Sequence, residues 1–170
     1  MSRSPDTPRI DPEACTVSEL LPGGAILDEL RRREIVRSAN NPISDYAELL
    51  FCKAYSWTRE NNSAAGYDAT DQNKVRYQIK ARRLTPNNRS RQLSAIRKLD
   101  EDPFDVLAGV LFDDKFLVLK AILLPIAAVR ARAVHVLHTN SWKFLLRDDV
   151  WNEPGAQDVT KQIRKKAAAF

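Results

Sequence analysis

Hydrophobic and polar residues alternate most regularly along residues 75–82, and this stretch predicts the central strand of the fold. The apolar positions are Val75, Tyr77, Ile79 and Ala81, and the polar positions between them are Arg76, Gln78, Lys80 and Arg82. A period of two is typical of a strand with one buried face and one polar face. Gln78 and Lys80 are therefore expected on the same, polar side of the strand.

A hairpin is predicted immediately before this strand. The turn formers Asp71-Gln72-Asn73-Lys74 separate it from a shorter strand that carries Asp68, so the two strands should pair antiparallel. Residues on two paired strands share a face only in certain registers. We expect Asp68 and Gln78 to share a face if the loop contains an odd number of residues, three or five, unless a bulge intervenes.

Two helices are predicted before the hairpin. The first spans Ala25 to Ser38 and has an amphipathic pattern. The second begins near Ser44, a favourable N-cap residue, and has Asp45 in its first turn, where the helix dipole favours an acid. Glu48 lies at the edge of the apolar stripe of this helix, which consists of Ala47, Leu50, Phe51 and Ala54.

The second half of the chain completes the predicted fold. Val, Leu, Ile and Phe dominate residues 104–112 and 116–124, which indicates a hairpin of buried strands. The remaining predicted elements are a helix from about Ser90, a helix from Pro125 to Leu137, a strand at Lys143 to Arg147 and a helix at Val159 to Ala169. This order predicts an α/β fold in which helices flank a mixed β-sheet.

Length and composition predict one intracellular domain. The 170 residues suffice for a single domain over 15–170, and the proline-containing segment 1–14 is expected to be disordered. The longest apolar run, Phe116 to Val129, is too short to span a bilayer, so we expect neither a membrane partner nor a secretory route. Two distant cysteines, Cys15 and Cys52, favour free thiols and a cytoplasmic location.

The positive charge of the chain is concentrated next to the predicted hairpin. Residues 74–98 contain nine basic side chains and no acid, although the formal net charge of the whole chain is only +5. A focused basic patch is typical of a protein that binds a polyanion, whereas an ordinary solvated surface is the alternative interpretation. If nucleic acid is the partner, the candidate phosphate contacts are Arg82, Arg89, Arg91 and Arg97.

Four residues then form an ordered pattern: Glu48 on a helix, Asp68 near a strand end, and Gln78 and Lys80 on the following strand. This pattern resembles the PD-(D/E)XK nuclease superfamily, and the segment that carries it, Asn41 to Arg83, is about a quarter of the chain. Gln78 stands where most members have Asp or Glu, as in the Gln-x-Lys branch that includes modification-dependent and Mrr-type restriction enzymes. The resemblance implies a restriction-endonuclease-like fold.

The resemblance also implies roles for these residues. Asp68 is expected to be the main Mg²⁺ ligand, with oxygens from the Gln78 side chain and the Ile79 carbonyl, and Mn²⁺ is an alternative cation. Lys80 is expected to orient or deprotonate the attacking water, and Glu48 to contact the metal directly or through water. An amide at position 78 brings no charge, which leaves room for one cation more readily than for two.

The implied function is a Mg²⁺-dependent nuclease that hydrolyses phosphodiester bonds in double-stranded DNA through an activated water. A non-catalytic nucleic-acid-binding module on the same fold is the main alternative, and a basic interaction domain unrelated to nucleases is a third. Whether the protein forms a homodimer is left open. His135 and His138 are three residues apart on the predicted late helix, and without accompanying ligands they indicate core or surface histidines rather than a metal site.

Overall fold

The structure is a computed structural model that describes residues 11, 13–20, 27–37, 42–60 and 66–170. Its main sheet has six strands in the order β1-β2-β3-β4-β5-β8, and β6 and β7 form a separate two-stranded ribbon. The strands are β1 Thr58–Arg59, β2 Ala69–Thr70, β3 Arg76–Arg83, β4 Val106–Phe112, β5 Val118–Pro125, β6 Val134–Val136, β7 Ser141–Lys143 and β8 Gln157–Asp158. The helices are α1 Val17–Leu20, α2 Leu27–Arg32, α3 Pro42–Tyr55, α4 Ile126–Arg132 and α5 Thr160–Ala167.

The centre of the sheet consists of β3, β4 and β5. The strands β3 and β4 are parallel and are joined by the long connection 84–105, whereas every other neighbouring pair in the sheet is antiparallel. Residues 107–112 of β4 are all buried, because both faces of this strand are covered. A continuous apolar strand of this kind is typical of the middle of a sheet with a layer on each side.

One face of the sheet packs against α3 and α5. This core contains most of the aromatic contacts, including Trp57 and Tyr77, whose ring centroids are 3.6 Å apart. Tyr77 and Ile79 contribute to it from β3, and Ala108 and Val110 contribute from β4. The apolar face that the alternation in β3 predicts is therefore the α3 face of the sheet.

The opposite face is covered by α4 and by two extended segments that lie outside the main sheet. Residues 91–97 and 142–147, which we call the outer ladder, are joined by backbone hydrogen bonds of 2.7 to 3.0 Å, among them both bonds between Ile96 and Trp142. The inward side chains of the outer ladder are fully or almost fully buried against β4 and β5; they are Leu93, Ile96, Phe144 and Leu146.

Several sequence predictions are confirmed. The β4–β5 hairpin and α5 lie where the apolar pattern placed them, and β2 and β3 pair antiparallel. Five residues, Asp71–Val75, separate β2 from β3, which is one of the two predicted loop lengths. The second helix begins at Pro42 rather than near Ser44, because proline suits the first helical position, where its missing N–H costs no hydrogen bond.

The predicted helix from Ser90 is wrong. Residues 91–97 belong to the outer ladder instead, and only the 3₁₀ turn Leu99–Glu101 follows. Buried apolar residues recur every three positions at Leu93, Ile96 and Leu99, a spacing that also fits a helix. Backbone pairing with residues 142–146 decides the conformation here, and that pairing is not visible in the local sequence.

Two more helix predictions are too long. The helix that was predicted from Pro125 to Leu137 ends at Arg132, and His135 lies on β6 rather than on a helix. The strand that was predicted at Lys143 to Arg147 is observed as β7, Ser141–Lys143, which pairs with β6. The first predicted helix is only Leu27–Arg32, and Glu34 follows with a φ of 58°. Residues 25, 26 and 38 of that prediction, and residues 1–10 and 12 of the segment expected to be disordered, lie outside the described residues.

Candidate active site

Asp68 lies immediately before β2 and is held against the edge of β3. Its N–H donates to the Tyr77 carbonyl at 2.8 Å, and its Oδ2 accepts from the Ile79 N–H at 2.6 Å. Because β2 begins only at Ala69, the carboxylate of Asp68 replaces a backbone acceptor for the Ile79 N–H of β3. Asp68 therefore contributes to the sheet as well as to any chemistry at this edge.

Gln78 and Lys80 lie on the face of β3 opposite to α3. They line a cavity of about 550 Å³ that we call the Lys80 cleft, whose other walls include Gly66, Arg76, Arg97 and Lys98. The alternation predicted that Gln78 and Lys80 share the polar face of β3, and they do. Only 9% of Gln78 is exposed, because the connection 84–105 covers this face of the sheet. Within the described part of the chain, the buried Oε1 of Gln78 has no hydrogen-bond partner.

The charges of Asp68 and Lys80 are both disfavoured by burial. Burial raises the pKa of the Asp68 carboxyl above its ordinary value, against the hydrogen bond from Ile79 and the positive charge of Lys80. Burial lowers the pKa of Lys80, against the attraction of Asp68 and Glu48. A carboxyl and an amine whose pKa values move toward each other form an acid–base pair that can exchange protons more easily than two solvated groups.

Glu48 is the residue whose surroundings differ most from the expectation. Its Oε2 accepts hydrogen bonds from Arg37 Nη2 and from Arg59 Nε, each at 2.8 Å. Asp45 joins these residues, since its Oδ2 accepts from the Arg37 N–H at 2.8 Å and its Oδ1 lies 3.6 Å from Arg59 Nη2. We call these four residues the Glu48 network. Two guanidinium groups thus neutralise the carboxylate that was expected to contact a metal.

The structure brings part of the predicted constellation together. Glu48, Asp68 and Lys80 lie close enough for their charges to affect one another, and Lys80 shares the cleft with Gln78. Among the described residues, no three His, Cys, Asp or Glu side chains form a group that could hold a metal ion. A hard cation at this site would therefore rely on Asp68 together with neutral oxygens, and the unpartnered amide oxygen of Gln78 fits that requirement.

The four arginines proposed as phosphate contacts do not form one group. Arg97 lines the Lys80 cleft, and its charge helps to lower the pKa of Lys80. Arg82 donates from Nε to the Ser90 carbonyl at 3.1 Å. Arg91 forms an ion pair with Asp148 at 2.9 Å, and Arg89 lines a shallow depression with Arg91. The alternative interpretation of an ordinary solvated surface is thus appropriate for Arg91.

Sequence reasoning missed the residues that surround the motif. Arg37 lies in the first predicted helix and Arg59 lies outside the predicted elements, and neither carries a local signal that it binds Glu48. Arg76 was assigned only to the polar face of β3, yet it forms a double hydrogen bond with Asp105, at 2.8 and 3.1 Å, where β3 and β4 begin. Only a charge-pairing search across distant segments could have suggested these contacts.

No protein-family model matches this chain, and no curated protein matches it at a significant level. The protein has a mixed α/β fold, and the Lys80 cleft lies beside β3, which pairs in parallel with β4. No helix in the described ranges is long and apolar enough to cross a membrane. The restriction-endonuclease-like fold and the nuclease activity stay predictions that rest on the sequence motif and on the geometry around β3.

Proposed function

We propose that this protein is a metal-dependent nuclease that hydrolyses phosphodiester bonds in double-stranded DNA, with a restriction-endonuclease-like fold. The observation that carries the proposal is the position of Lys80. This lysine is half-buried beside the carboxylates of Asp68 and Glu48, and it lines a cleft whose wall contains the cations Arg76, Arg97 and Lys98 together with the acids Glu101 and Asp102. A desolvated amine of this kind can act as a general base, and the cations of the wall can contact a phosphate.

Asp68, Gln78 and Ile79 are the residues proposed to hold Mg²⁺ or Mn²⁺. Asp68 Oδ2 already accepts from the Ile79 N–H, so Oδ1 is the carboxylate oxygen proposed for the cation, with the Gln78 amide oxygen and the Ile79 carbonyl beside it. The bound cation would supply charge neutralisation at the scissile phosphate. Lys80 is proposed to take the proton of the attacking water, because its lowered pKa favours the neutral amine.

A non-catalytic nucleic-acid-binding protein is the second candidate, and the Glu48 network favours it. Both Arg37 and Arg59 bond to Glu48 at 2.8 Å, so this carboxylate brings little negative charge to a cation. A cleft with weakened cation affinity whose wall retains Arg76, Arg97 and Lys98 can bind phosphates without cleaving them. Both candidate functions have nucleic acid as the partner, and they differ only in whether the protein cleaves it.

A plasmid-cleavage experiment separates the two candidates. Supercoiled plasmid is incubated with the parent protein in Mg²⁺, in Mn²⁺ and in EDTA, and nicked and linear products are quantified. The proposal expects cleavage that requires the cation and that falls by about 100-fold or more in Asp68→Asn. Asn retains an acceptor for the Ile79 N–H, so the variant removes the charge without removing the bond to β3.

Glu101→Gln is the matched control, because it makes the same chemical change at an exposed acid at the rim of the same cleft. It should cleave like the parent protein. Equal cleavage by Asp68→Asn and the parent would contradict the nuclease proposal. Duplex binding without cleavage under any of the three conditions would favour the second candidate.

A further inference from the structure

The outer ladder brings together two long stretches of the chain that contain no acid. Residues 72–99 have none, and residues 115–147 have none either. The two stretches are far apart in sequence, but backbone hydrogen bonds join them, such as those from Leu93 N–H to the Phe144 carbonyl and from Leu146 N–H to the Arg91 carbonyl, each 3.0 Å. Pairing of two acid-free segments concentrates positive charge on one surface.

The side chains of the outer ladder divide between core and solvent. Leu93, Ile96, Phe144 and Leu146 point into the core, so the exposed positions between them form an outer face. Three cations at or near the ends of the two segments are exposed and form no ion pair within the described residues; they are Arg97, Lys143 and Arg147. Gln92, Ser94 and Ala95 are exposed and uncharged on this face. The exposed acids that follow Arg147 have other partners, because Asp148 pairs with Arg91 and Lys120 and Asp149 pairs with Arg132.

The outer ladder is continuous with the Lys80 cleft on one side and with the β6–β7 ribbon on the other. Arg97 belongs to the ladder and also lines the cleft, where it acts on the charge of Lys80. Lys143 is the last residue of β7, and the exposed His135 packs against Trp142 in a tilted arrangement with ring centroids 4.9 Å apart. Leu137, at the tip of the ribbon, is exposed.

We propose that the outer ladder and the β6–β7 ribbon bind the phosphate backbone of a nucleic-acid duplex, and that Arg97 connects this surface to the Lys80 cleft. The proposal rests on the proposed function for its choice of partner, and it deepens that function by naming the contact surface. Charge complementarity selects the occupant, because exposed cations that form no ion pair within the described residues suit the regular negative charge of a duplex.

The test compares two triple variants that remove the same charge from opposite faces of the sheet. The ladder variant is Arg97→Ala, Lys143→Ala and Arg147→Ala. The control variant is Lys115→Ala, Lys161→Ala and Lys165→Ala, whose residues are exposed and lie on the β4–β5 turn and on α5. The affinity for one labelled duplex is measured by fluorescence anisotropy in EDTA over a series of salt concentrations, and melting temperatures establish that both variants fold.

The ladder variant should flatten the dependence of log affinity on log salt by about 2 to 3, at roughly 0.9 for each lost phosphate contact, and the control variant should run nearly parallel to the parent. Each single ladder substitution should remove about 0.9 of the slope, which keeps the test decisive if the triple variant folds poorly. Equal flattening by both triples would overturn the proposal, since only net charge would then matter.

Three further outcomes would overturn the proposal. The first is an unchanged slope in the ladder variant, and the second is a parent protein that binds no duplex. The third is a parent dimer that dissociates in the ladder variant while duplex binding is unchanged, because this surface would then bind a second copy of the chain. Sedimentation of the same proteins detects the dimer. Cleavage of plasmid by the parent is measured separately. Duplex binding at the ladder without cleavage would contradict the nuclease proposal and would still support the proposed binding surface.

Discussion

Two charged regions flank β3, and they differ in whether their polar groups have bonding partners. In the Glu48 network, on the α3 side, two carboxylates and two guanidinium groups bond to one another at 2.8 to 3.6 Å. In the Lys80 cleft, on the other side, Lys80 forms no ion pair among the described residues and Gln78 Oε1 has no partner. The charged groups of the first region bond to one another. The second region contains polar groups without partners, which lower the stability of the fold.

This difference predicts which of the four motif residues would carry the proposed chemistry. A buried polar group without a partner costs about 1 to 3 kcal/mol, and such costs occur mainly at functional sites. The unpartnered Oε1 of Gln78 fits that description, and Lys80 carries a charge that burial disfavours, whereas Glu48 has an adequate structural role as the centre of an ion network. The comparison therefore predicts that removing Lys80 harms activity and that removing Glu48 harms stability.

The largest expected effect is that of Lys80→Met on cleavage. Methionine fills a similar volume without the amine, so the water loses its proposed base and the rate should fall by about 10²- to 10⁴-fold. The melting temperature should stay the same or rise, because burial disfavours the charged amine and lowers its pKa in the folded protein. Plasmid cleavage and thermal unfolding measure the two quantities. A variant with normal cleavage would show that Lys80 is not the base.

The next effect is the loss of stability in Glu48→Ala. The change leaves Arg37 and Arg59 without their shared acceptor, and the free energy of unfolding should fall by about 2 kcal/mol. Urea unfolding measures it. Glu101→Ala is the matched control, because its ion pair with Lys98 is exposed and should contribute less than about 1 kcal/mol. Equal losses in both variants would mean that the Glu48 network is no stronger than a surface pair.

A smaller effect is the pH dependence of stability at Asp68. Its carboxyl has a pKa above the ordinary value of 3.8 because of burial, so the folded state holds this proton more tightly than the unfolded state. The stability that this group contributes is present below pH 3.8 and is lost as the pH rises through the folded pKa.

Asp68→Asn should therefore melt higher than the parent at neutral pH, and the difference should shrink as the pH falls toward 4. Melting curves of both proteins over that range test the sign. A difference that grows on acidification would show that the carboxylate is stabilised by Lys80 and Ile79 more than it is disfavoured by burial.

The smallest effect is expected for Gln78→Met. The substitution removes the unpartnered Oε1 and keeps the chain length, so the free energy of unfolding should rise by up to about 1 kcal/mol. Gln78→Glu is the companion variant: a carboxylate should increase Mn²⁺ affinity, as measured by calorimetric titration. Unchanged Mn²⁺ affinity in Gln78→Glu would remove position 78 from the proposed cation site.

Sequence alone predicted the parts of this protein that depend on local pattern. The alternation in β3, the apolar runs of β4 and β5 and the turn formers after Thr70 each act within a few residues, so strand identity, the hairpin and the five-residue loop could be derived. The order of Glu48, Asp68, Gln78 and Lys80 was visible in the same way. Local hydrogen bonding and side-chain period are encoded where they act.

The tertiary structure decided what depends on distant partners. The spacing of Leu93, Ile96 and Leu99 fits a helix, but pairing of residues 91–96 with residues 142–146 makes this segment extended. Gln78 lies on a polar stripe in sequence, yet the connection 84–105 buries it. Arg37 and Arg59 reach Glu48 from eleven residues on either side. Burial and ion pairing of a residue depend on neighbours from the whole chain, so the sequence of one segment cannot predict them.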